Sequence, residues 1–167
     1  MKHVVIGSGG REHAIGWQLL REDPGAELIF VPGNGGTGAL GKNIALSAAD
    51  IDAVVDFAGR ASPDLVVVGP EDPLEMGMVD RLEACGITAF GPTADAARIE
   101  SSKGYAKQLM ARHAIPTAAF DLFASATEAH RYVDRASRSL VIKADGLAKG
   151  KGAIVTVSYT HLRAHET

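Results

Sequence analysis

Short aliphatic runs separated by amphipathic stretches make up roughly the first hundred residues of the chain. Lys2 to Ile6 and Glu27 to Val31 predict short strands, and Leu65 to Val68 has the continuous apolar character of a strand that is buried on both faces, as in a parallel sheet. Ile44 to Leu46 and the segment Gly86 to Pro92 predict two further short strands. Because helical patterns fill the intervals, we expect an α/β fold with a right-handed, doubly wound, Rossmann-like parallel sheet.

The intervals carry the spacing and the start and stop signals of helices. Ala14 to Glu22 has a helical pattern, Asp50 is placed to cap a helix from Ile51 to Arg60, and Glu75 to Cys85 predicts a third helix. Further along we expect helices over Ala94 to Ile99 and Lys103 to Ala114, a strand over Thr117 to Leu122, and a helix from the Ser125–Glu128 capping box to Ala136. The boundary of the first domain should lie near residue 101, with a second segment over residues 102–156.

A glycine-rich turn follows the first strand, in the sequence GSGGREHA. Gly9 and Gly10 permit a tight turn at the start of a helix, whose unpaired N–H groups attract anions. Arg11 can bind a phosphate or carboxylate with two hydrogen bonds, and Glu12 can accept hydrogen bonds from hydroxyl groups. Glu12 also stands where the dinucleotide fingerprint G-x-G-x-x-G needs its third glycine, which counts against a nicotinamide-dependent oxidoreductase. A turn that binds nothing is the simpler alternative.

Polar loops also follow the next two aliphatic strands. PGNGGTGALG, from Pro32 to Gly41, is too rich in glycine for a packed element, so it either wraps a ligand, with Asn34 as a hydrogen-bonding side chain, or is disordered. The loop from Gly69 to Leu74 carries Glu71, which we expect at the ligand-binding carboxyl edge of the sheet. Its neighbour Asp72 is better explained as a helix cap.

A strand, a glycine-rich loop and a second strand are predicted from Leu140 to Val155, LVIKADGLAKGKGAIV. Glycines in the loop let backbone N–H groups approach an anion, and nearby lysines add positive charge, a combination that suits a polyphosphate. A solvated hairpin with scattered lysines is the alternative. The loop is not a Walker A motif, because Gly152 stands where that motif has Ser or Thr.

Composition narrows the class of protein. The net charge of −3 excludes a generally basic nucleic-acid-binding protein, and 46% of the residues are apolar, enough for a sizeable core. The sequence MKHVVIG runs directly into a strand, with no signal peptide and no apolar span long enough for a bilayer, so we expect a cytoplasmic protein. Cys85, the one cysteine, is expected to be a buried structural thiol in a reducing compartment.

Six motifs occur in an order that resembles the phosphoribosylamine-glycine ligases, the glycinamide ribonucleotide synthetases of the ATP-grasp superfamily. They are VIGSGGREHA, PGNGGTGAL, VVVGPEDPL, FGPTADAARIESSK, ARHAIPTA and VIKADGLAKGKG. The resemblance implies a Rossmann-like substrate domain followed by an α+β ATP-grasp lid subdomain, truncated here. It also implies an enzyme of purine biosynthesis that acts on small molecules, without nucleic-acid or membrane partners. The sequence leaves the oligomeric state open, with a monomer favoured. Such an enzyme activates glycine with ATP as glycyl phosphate and joins it to 5-phosphoribosylamine, releasing ADP and phosphate.

The resemblance also implies roles for residues that match the family's motifs. The substrate 5-phosphoribosylamine would bind at Gly9, Gly10, Arg11, Glu12, Asn34, Gly35, Gly36, Gly69, Pro70 and Glu71. ATP would bind at Lys103, Lys143, Gly146, Gly150, Lys151 and Gly152.

The end of the chain departs from this pattern. The family holds Mg²⁺ or Mn²⁺ with carboxylates and an asparagine in a larger domain, so we expect no metal ligands within this N-terminal part and no ligase activity from the chain alone. Residues 157–167, VSYTHLRAHET, do not resemble the family and look like a translated sequencing adaptor, so we expect a non-native tail. Binding of a sugar phosphate or nucleotide without catalysis is the alternative function.

Overall fold

A computed structural model describes residues 1–136, 139–146 and 153–156 of the chain, the last four by their backbone. The chain divides into two compact units, Met1–Arg98 and Ile99–Thr167. The first unit is an α/β structure with a five-stranded sheet, and the described strands of the second form a two-stranded sheet. The fold class predicted from the alternating pattern is confirmed.

Five parallel strands form the sheet of the first unit in the order β3-β2-β1-β4-β5. The central strand β1 pairs with β2 along its whole length, from Lys2 opposite Glu27 to Gly7 opposite Pro32, and with β4 on its other side. Chain order therefore reverses at β1, and the loops after β1, β2 and β4 leave the same edge of the sheet. The strands are β1 (Lys2–Gly7), β2 (Glu27–Pro32), β3 (Lys42–Asn43), β4 (Leu65–Val68) and β5 (Ala89–Phe90).

Alternate residues of these strands face two separate apolar cores. Val5, Leu28 and Phe30 form the smaller core, and the apolar side chains of α1 pack against it. The opposite face of the sheet carries a larger core that α2, α4 and α5 complete. The helices of this unit are α1 (Gly10–Glu22), α2 (Ile51–Ala61), α3 (Glu71–Glu75), α4 (Met78–Ala84) and α5 (Ala94–Ser101), the last of which continues into the second unit.

Three predicted details of the secondary structure of the first unit are wrong. The strand expected over Ile44 to Leu46 lies earlier, at β3, and Ile44 and Leu46 instead pack against the larger core from irregular backbone. The single helix expected from Glu75 to Cys85 is two helices, because Gly77 takes a left-handed conformation with φ of 81° between α3 and α4. Asp72 consequently lies inside the first turn of α3 rather than capping a helix at Glu75.

Cys85 is exposed, which contradicts the expectation of a buried thiol. It follows the last residue of α4, at the position where the helix ends and the chain turns at Gly86. The core side of α4 is supplied by Met78, Val79 and Leu82, so the packing of this helix does not need the thiol.

The second unit consists of α6 (Lys103–Arg112), α7 (Ala126–Arg135), β6 (Leu140–Lys143) and β7 (Ala153–Thr156). The two strands pair antiparallel from Leu140 opposite Thr156 to Lys143 opposite Ala153, which confirms the predicted hairpin. Ser125 accepts a hydrogen bond from the Glu128 N–H and caps α7 as expected. Residues 117–122 pair with no strand of the described chain, so the strand predicted there is wrong. Within the described ranges, no helix is long and apolar enough to cross a bilayer.

Candidate functional site

The turn between β1 and α1 presents backbone N–H groups at the start of a helix. Gly9 is the cap residue of α1 and has no side chain to bind the first N–H groups of the helix, in contrast to Asp50 and Ser102, which cap α2 and α6. The cap residue therefore places no side chain over the first turn, where the helix dipole favours an anion.

Glu12 is buried beneath this turn, with 4% of its surface exposed. Its Oε2 atom accepts a hydrogen bond of 2.6 Å from the Gly9 N–H, and its carboxylate also lies against Gly7 and Gly69. A side chain at Gly7 would approach the Glu12 Cγ atom to 2.6 Å, so only glycine fits there. The Glu12 side chain therefore fills the space beneath the turn.

Arg11 joins the turn after β1 to the loop after β4. Its Nη1 atom donates to the Gly69 carbonyl oxygen at 2.8 Å, and its Nη2 atom donates to Oε1 of Glu71 at 2.9 Å. The hydrogen bond from Arg11 is the largest cause that lowers the pKa of Glu71 below its usual value, followed by the backbone N–H of Glu71 itself. Glu71 is thus held as a carboxylate at the edge of the sheet.

Asn34 joins the same turn to the loop after β2. Its Nδ2 atom donates to the Ser8 carbonyl oxygen at 2.9 Å, while its Oδ1 atom accepts from the N–H groups of Gly36 and Thr37 at 2.7 and 3.0 Å. The buried Thr37 hydroxyl accepts from the Asn34 N–H at 2.7 Å. The glycine-rich loop is therefore ordered by its own side chains, and the predicted alternative of disorder is wrong.

These contacts bring together the three loops that carry the sequence-predicted substrate residues. The loops lie side by side at the carboxyl edge of β1, β2 and β4, as the rule for parallel sheets requires. They hold Gly9, Gly10, Arg11, Glu12, Asn34, Gly35, Gly36, Gly69, Pro70 and Glu71. Binding of a substrate by these residues stays a prediction.

A second cluster of hydrogen-bonded residues lies in the second unit, where the loop after β6 meets the start of α6. Asp145 accepts from the Gly104 N–H at 3.1 Å and from the Ser102 hydroxyl at 3.1 Å. The Gly104 N–H is the largest cause that lowers the pKa of Asp145, with further hydrogen bonds from the Gly146 N–H and Ser102. Lys103 Nζ donates to the Gly146 carbonyl oxygen at 2.6 Å, and Lys143 is exposed on β6.

The predicted nucleotide residues are only partly within the described chain. Lys103, Lys143 and Gly146 are described, whereas Gly150, Lys151 and Gly152 lie outside the described residues, as does the 157–167 segment. In the described ranges, no group of three His, Cys, Asp or Glu side chains is arranged to hold a metal ion.

The sequence did not predict the contacts of two residues, Asp145 and His13. Asp145 accepts a hydrogen bond from Ser102, the cap residue of α6, which lies 43 residues earlier, and no local pattern indicates this contact. His13, on α1, packs so closely on Gly36 that a side chain there would come within 2.7 Å of its Cε1 atom. The position of His13 three residues after Gly10 was the only available signal.

A glycine-rich turn on a doubly wound sheet and, later in the chain, a hairpin that carries Lys143 are what we expect of an ATP-grasp protein. Residues 1–100 match the model of the phosphoribosylglycinamide synthetase N domain, and residues 101–166 match that of the phosphoribosylglycinamide synthetase ATP-grasp (A) domain. The chain therefore belongs to the phosphoribosylglycinamide synthetase family.

Individual relatives agree with this assignment. The phosphoribosylamine–glycine ligase of Ralstonia nicotianae is 51% identical over 160 residues, which cover 95% of this chain and 37% of the relative. The crystal structure of the Thermotoga maritima ligase aligns with 99% of this chain and 38% of its own, with 34% identity and a TM-score of 0.77. N5-carboxyaminoimidazole synthetase from Staphylococcus aureus, solved with ADP, shares the fold at 15% identity, with a TM-score of 0.74 over 98% of this chain and 43% of its own. The chain spans under two-fifths of the length of the two ligases.

Proposed function

We propose that this chain contributes the 5-phosphoribosylamine site and the first part of the ATP site of a ligase. The whole enzyme joins glycine to 5-phosphoribosylamine through glycyl phosphate, with conversion of ATP to ADP and phosphate, in purine biosynthesis. The observation that supports this most directly is the Arg11 bridge to Gly69 and Glu71, which assembles two loops around one helix start in a chain of this family.

We assign the sugar phosphate to the first unit because of the helix dipole at the start of α1 and the carboxylate of Glu71. A phosphate beside the Gly10 N–H, at the start of α1, would gain a hydrogen bond and a favourable helix dipole. The ribose would then lie between the loops of Asn34 and Glu71, where the Glu71 carboxylate can accept hydrogen bonds from hydroxyl groups. The domain is proposed to act in the cytoplasm as a monomer.

ATP is assigned to the second unit. Lys103 lies at the start of α6 against Gly146, and Lys143 lies on the strand before the same loop, so both lysines can neutralise phosphate charge. Together with Gly150, Lys151 and Gly152 they would position the transferred phosphoryl group, which is most of what such chemistry asks of a protein. By resemblance to the family, we assign the ligands of Mg²⁺ or Mn²⁺ to another part of the whole enzyme.

Calorimetric titration of the 167-residue chain with ribose 5-phosphate tests the substrate site. We expect binding that Arg11→Gln weakens by about tenfold or more, because a charged hydrogen-bonding group is lost. Arg21→Gln, at the far end of the same helix, is the matched control and should bind as the unmodified chain does. Equal affinities for the two variants would contradict the proposed site.

Two alternatives are separated by the same preparation. A non-catalytic sugar-phosphate module would also bind ribose 5-phosphate. It differs from the proposed ligase in that its gene would encode no further domain. A nicotinamide-dependent oxidoreductase would enhance NADH fluorescence, which we do not expect because the Glu12 carboxylate already takes the Gly9 N–H. We also expect no glycine-dependent ADP formation by the 167-residue chain, and its detection would contradict the assignment of the metal ligands to another part.

A further inference from the structure

The loop after β6 is joined to the start of α6 by hydrogen bonds in both directions. From the loop, the Asp145 carboxylate accepts from the Ser102 hydroxyl at 3.1 Å and from the Gly104 N–H at 3.1 Å. From the helix, Lys103 Nζ donates to the Gly146 carbonyl oxygen at 2.6 Å. Lys103 therefore lies between two residues that bind Asp145, and its ammonium group is held on the residue that follows Asp145.

The residues around Asp145 are suited to this contact. A Cβ atom at Gly104 would lie 3.1 Å from Oδ2 of Asp145, so a side chain there would press on the carboxylate. Gly146 has a φ of 89°, which glycine adopts without strain, and its N–H donates to Oδ1 of Asp145 at 3.0 Å. The Ser102 hydroxyl accepts from the Tyr105 N–H and donates to Asp145, so it caps α6 and binds the loop at once.

The Asp145 carboxylate occupies the positive end of α6. The hydrogen bond from the Gly104 N–H is the largest cause that lowers the pKa of Asp145, so this side chain is held ionised there. The start of α1 differs, because its cap residue Gly9 has no side chain. A phosphate at the first turn of α6 would meet a fixed negative charge. The phosphates of a nucleotide are therefore left to the lysine side chains of this unit.

We propose that Asp145 is a positioning residue of the ATP site, which fixes the loop after β6 to α6 and so keeps Lys103 beside the loop that follows Lys143. This inference rests on the proposed function, which assigns both lysines to the phosphates of ATP. An ammonium group has three donors, so Lys103 can keep the Gly146 carbonyl oxygen and also bind a phosphate. A lysine that is ordered before binding loses less conformational entropy, which raises affinity.

Calorimetric titration of the 167-residue chain with ATP tests the role of Asp145 through the sign of the effect. If charge alone mattered, removing a carboxylate near a polyphosphate would strengthen binding. We expect instead that Asp145→Ala weakens ATP binding by about tenfold, because Lys103 is no longer ordered in advance. Asp145→Asn removes the same charge but keeps an acceptor oxygen for the Gly104 N–H, so its affinity should stay within about threefold of the unmodified chain.

The matched control is Asp134→Ala, which removes an exposed carboxylate from α7 in the same unit and should not weaken ATP binding. Amide proton–nitrogen NMR spectra separate positioning from loss of structure. Asp145→Ala should shift the signals of Gly104 and Gly146 and leave those of α7 unchanged. Ribose 5-phosphate, which is assigned to the other compact unit, should bind to all the variants with equal affinity.

Three results would count against the inference. ATP binding by Asp145→Ala that is as tight as by the unmodified chain would overturn it and leave the proposed function intact. Loss of the α7 signals in Asp145→Ala, or an Asp145→Asn variant as weak as Asp145→Ala, would also overturn it, because the effect would then not follow the hydrogen bond from Gly104. No ATP binding by the unmodified chain would contradict the proposed ATP site, and the inference with it.

Discussion

Replacing Glu12 by alanine should destabilise the first unit, because this one carboxylate supports the turn that begins the candidate site. Glu12 is 4% exposed, and its Oε2 atom accepts the Gly9 N–H at 2.6 Å. Its side chain also fills the space between Gly7 and Gly69. Removal therefore deletes a hydrogen bond to a charged group and leaves a small cavity where the loops after β1 and β4 meet.

The magnitude follows from these contacts. A hydrogen bond to a charged group contributes about 1.5–3 kcal/mol, and an acidic side chain in the first turn of a helix adds roughly 0.3–1 kcal/mol. The desolvation cost of the buried carboxylate and the higher helix propensity of alanine offset part of this. We expect a net loss of about 2 kcal/mol in the free energy of unfolding, which for a unit of this size lowers Tm by roughly 10 °C.

The chain provides its own probe for this experiment. Trp17 is the one tryptophan and lies on α1 with 49% of its surface exposed, so its fluorescence reports the unfolding of the first unit by urea. Glu12→Gln keeps the length of the side chain and an acceptor oxygen, and should lose only about 1 kcal/mol. Glu22→Ala is the matched control on the same helix, since Glu22 makes an exposed hydrogen bond with Gln18, and should stay within about 0.5 kcal/mol of the unmodified chain. A Glu12→Ala variant as stable as Glu22→Ala would refute the reasoning.

Two further predictions concern packing and pH. Gly16→Ala places a methyl group into the ring of Phe30 and should lower the free energy of unfolding in urea by about 1–3 kcal/mol. Gly59→Ala, where the space is open, should raise it by about 0.5–1 kcal/mol. Equal effects of the two substitutions would contradict the packing of α1 on the sheet. The lowered pKa of Glu71, caused first by the hydrogen bond from Arg11, means that its ionised form stabilises the folded state. The difference in free energy of unfolding between the unmodified chain and Glu71→Gln should have its full size above the unfolded pKa of about 4.3 and shrink as pH falls through the lower folded pKa. A difference that grows in acid would contradict the ion pair.

The sheet could be predicted because its strands are apolar on both faces. β1, β2 and β4 were placed to within a residue by continuous aliphatic runs. β3 was misplaced, because its ladder pairs the polar residues Lys42 and Asn43, while the apolar Ile44 and Leu46 pack beside the ladder. A short edge strand is defined by backbone pairing with its neighbour, and hydrophobic pattern does not report that pairing.

The candidate site could be predicted as a set of loops, but its contacts could not. The rule that loops after parallel strands share one edge brought Gly9, Asn34 and Glu71 together from their sequence positions. The hydrogen bond from Arg11 to Glu71 spans 60 residues, and that from Gly104 to Asp145 spans 41. Contacts at such separation depend on how the loops pack, which local pattern does not determine.

The measurement that tests the central claim most directly is the amide proton–nitrogen NMR spectrum of the 167-residue chain, titrated with ribose 5-phosphate. We predict saturable shifts at the amides of Gly9, Gly10, Gly35 and Gly69, with the amide of Gly59 on α2 unchanged. Shifts of comparable size at Gly59, or no saturable shift at the four glycines, would contradict the assignment of this edge of the sheet to the sugar phosphate.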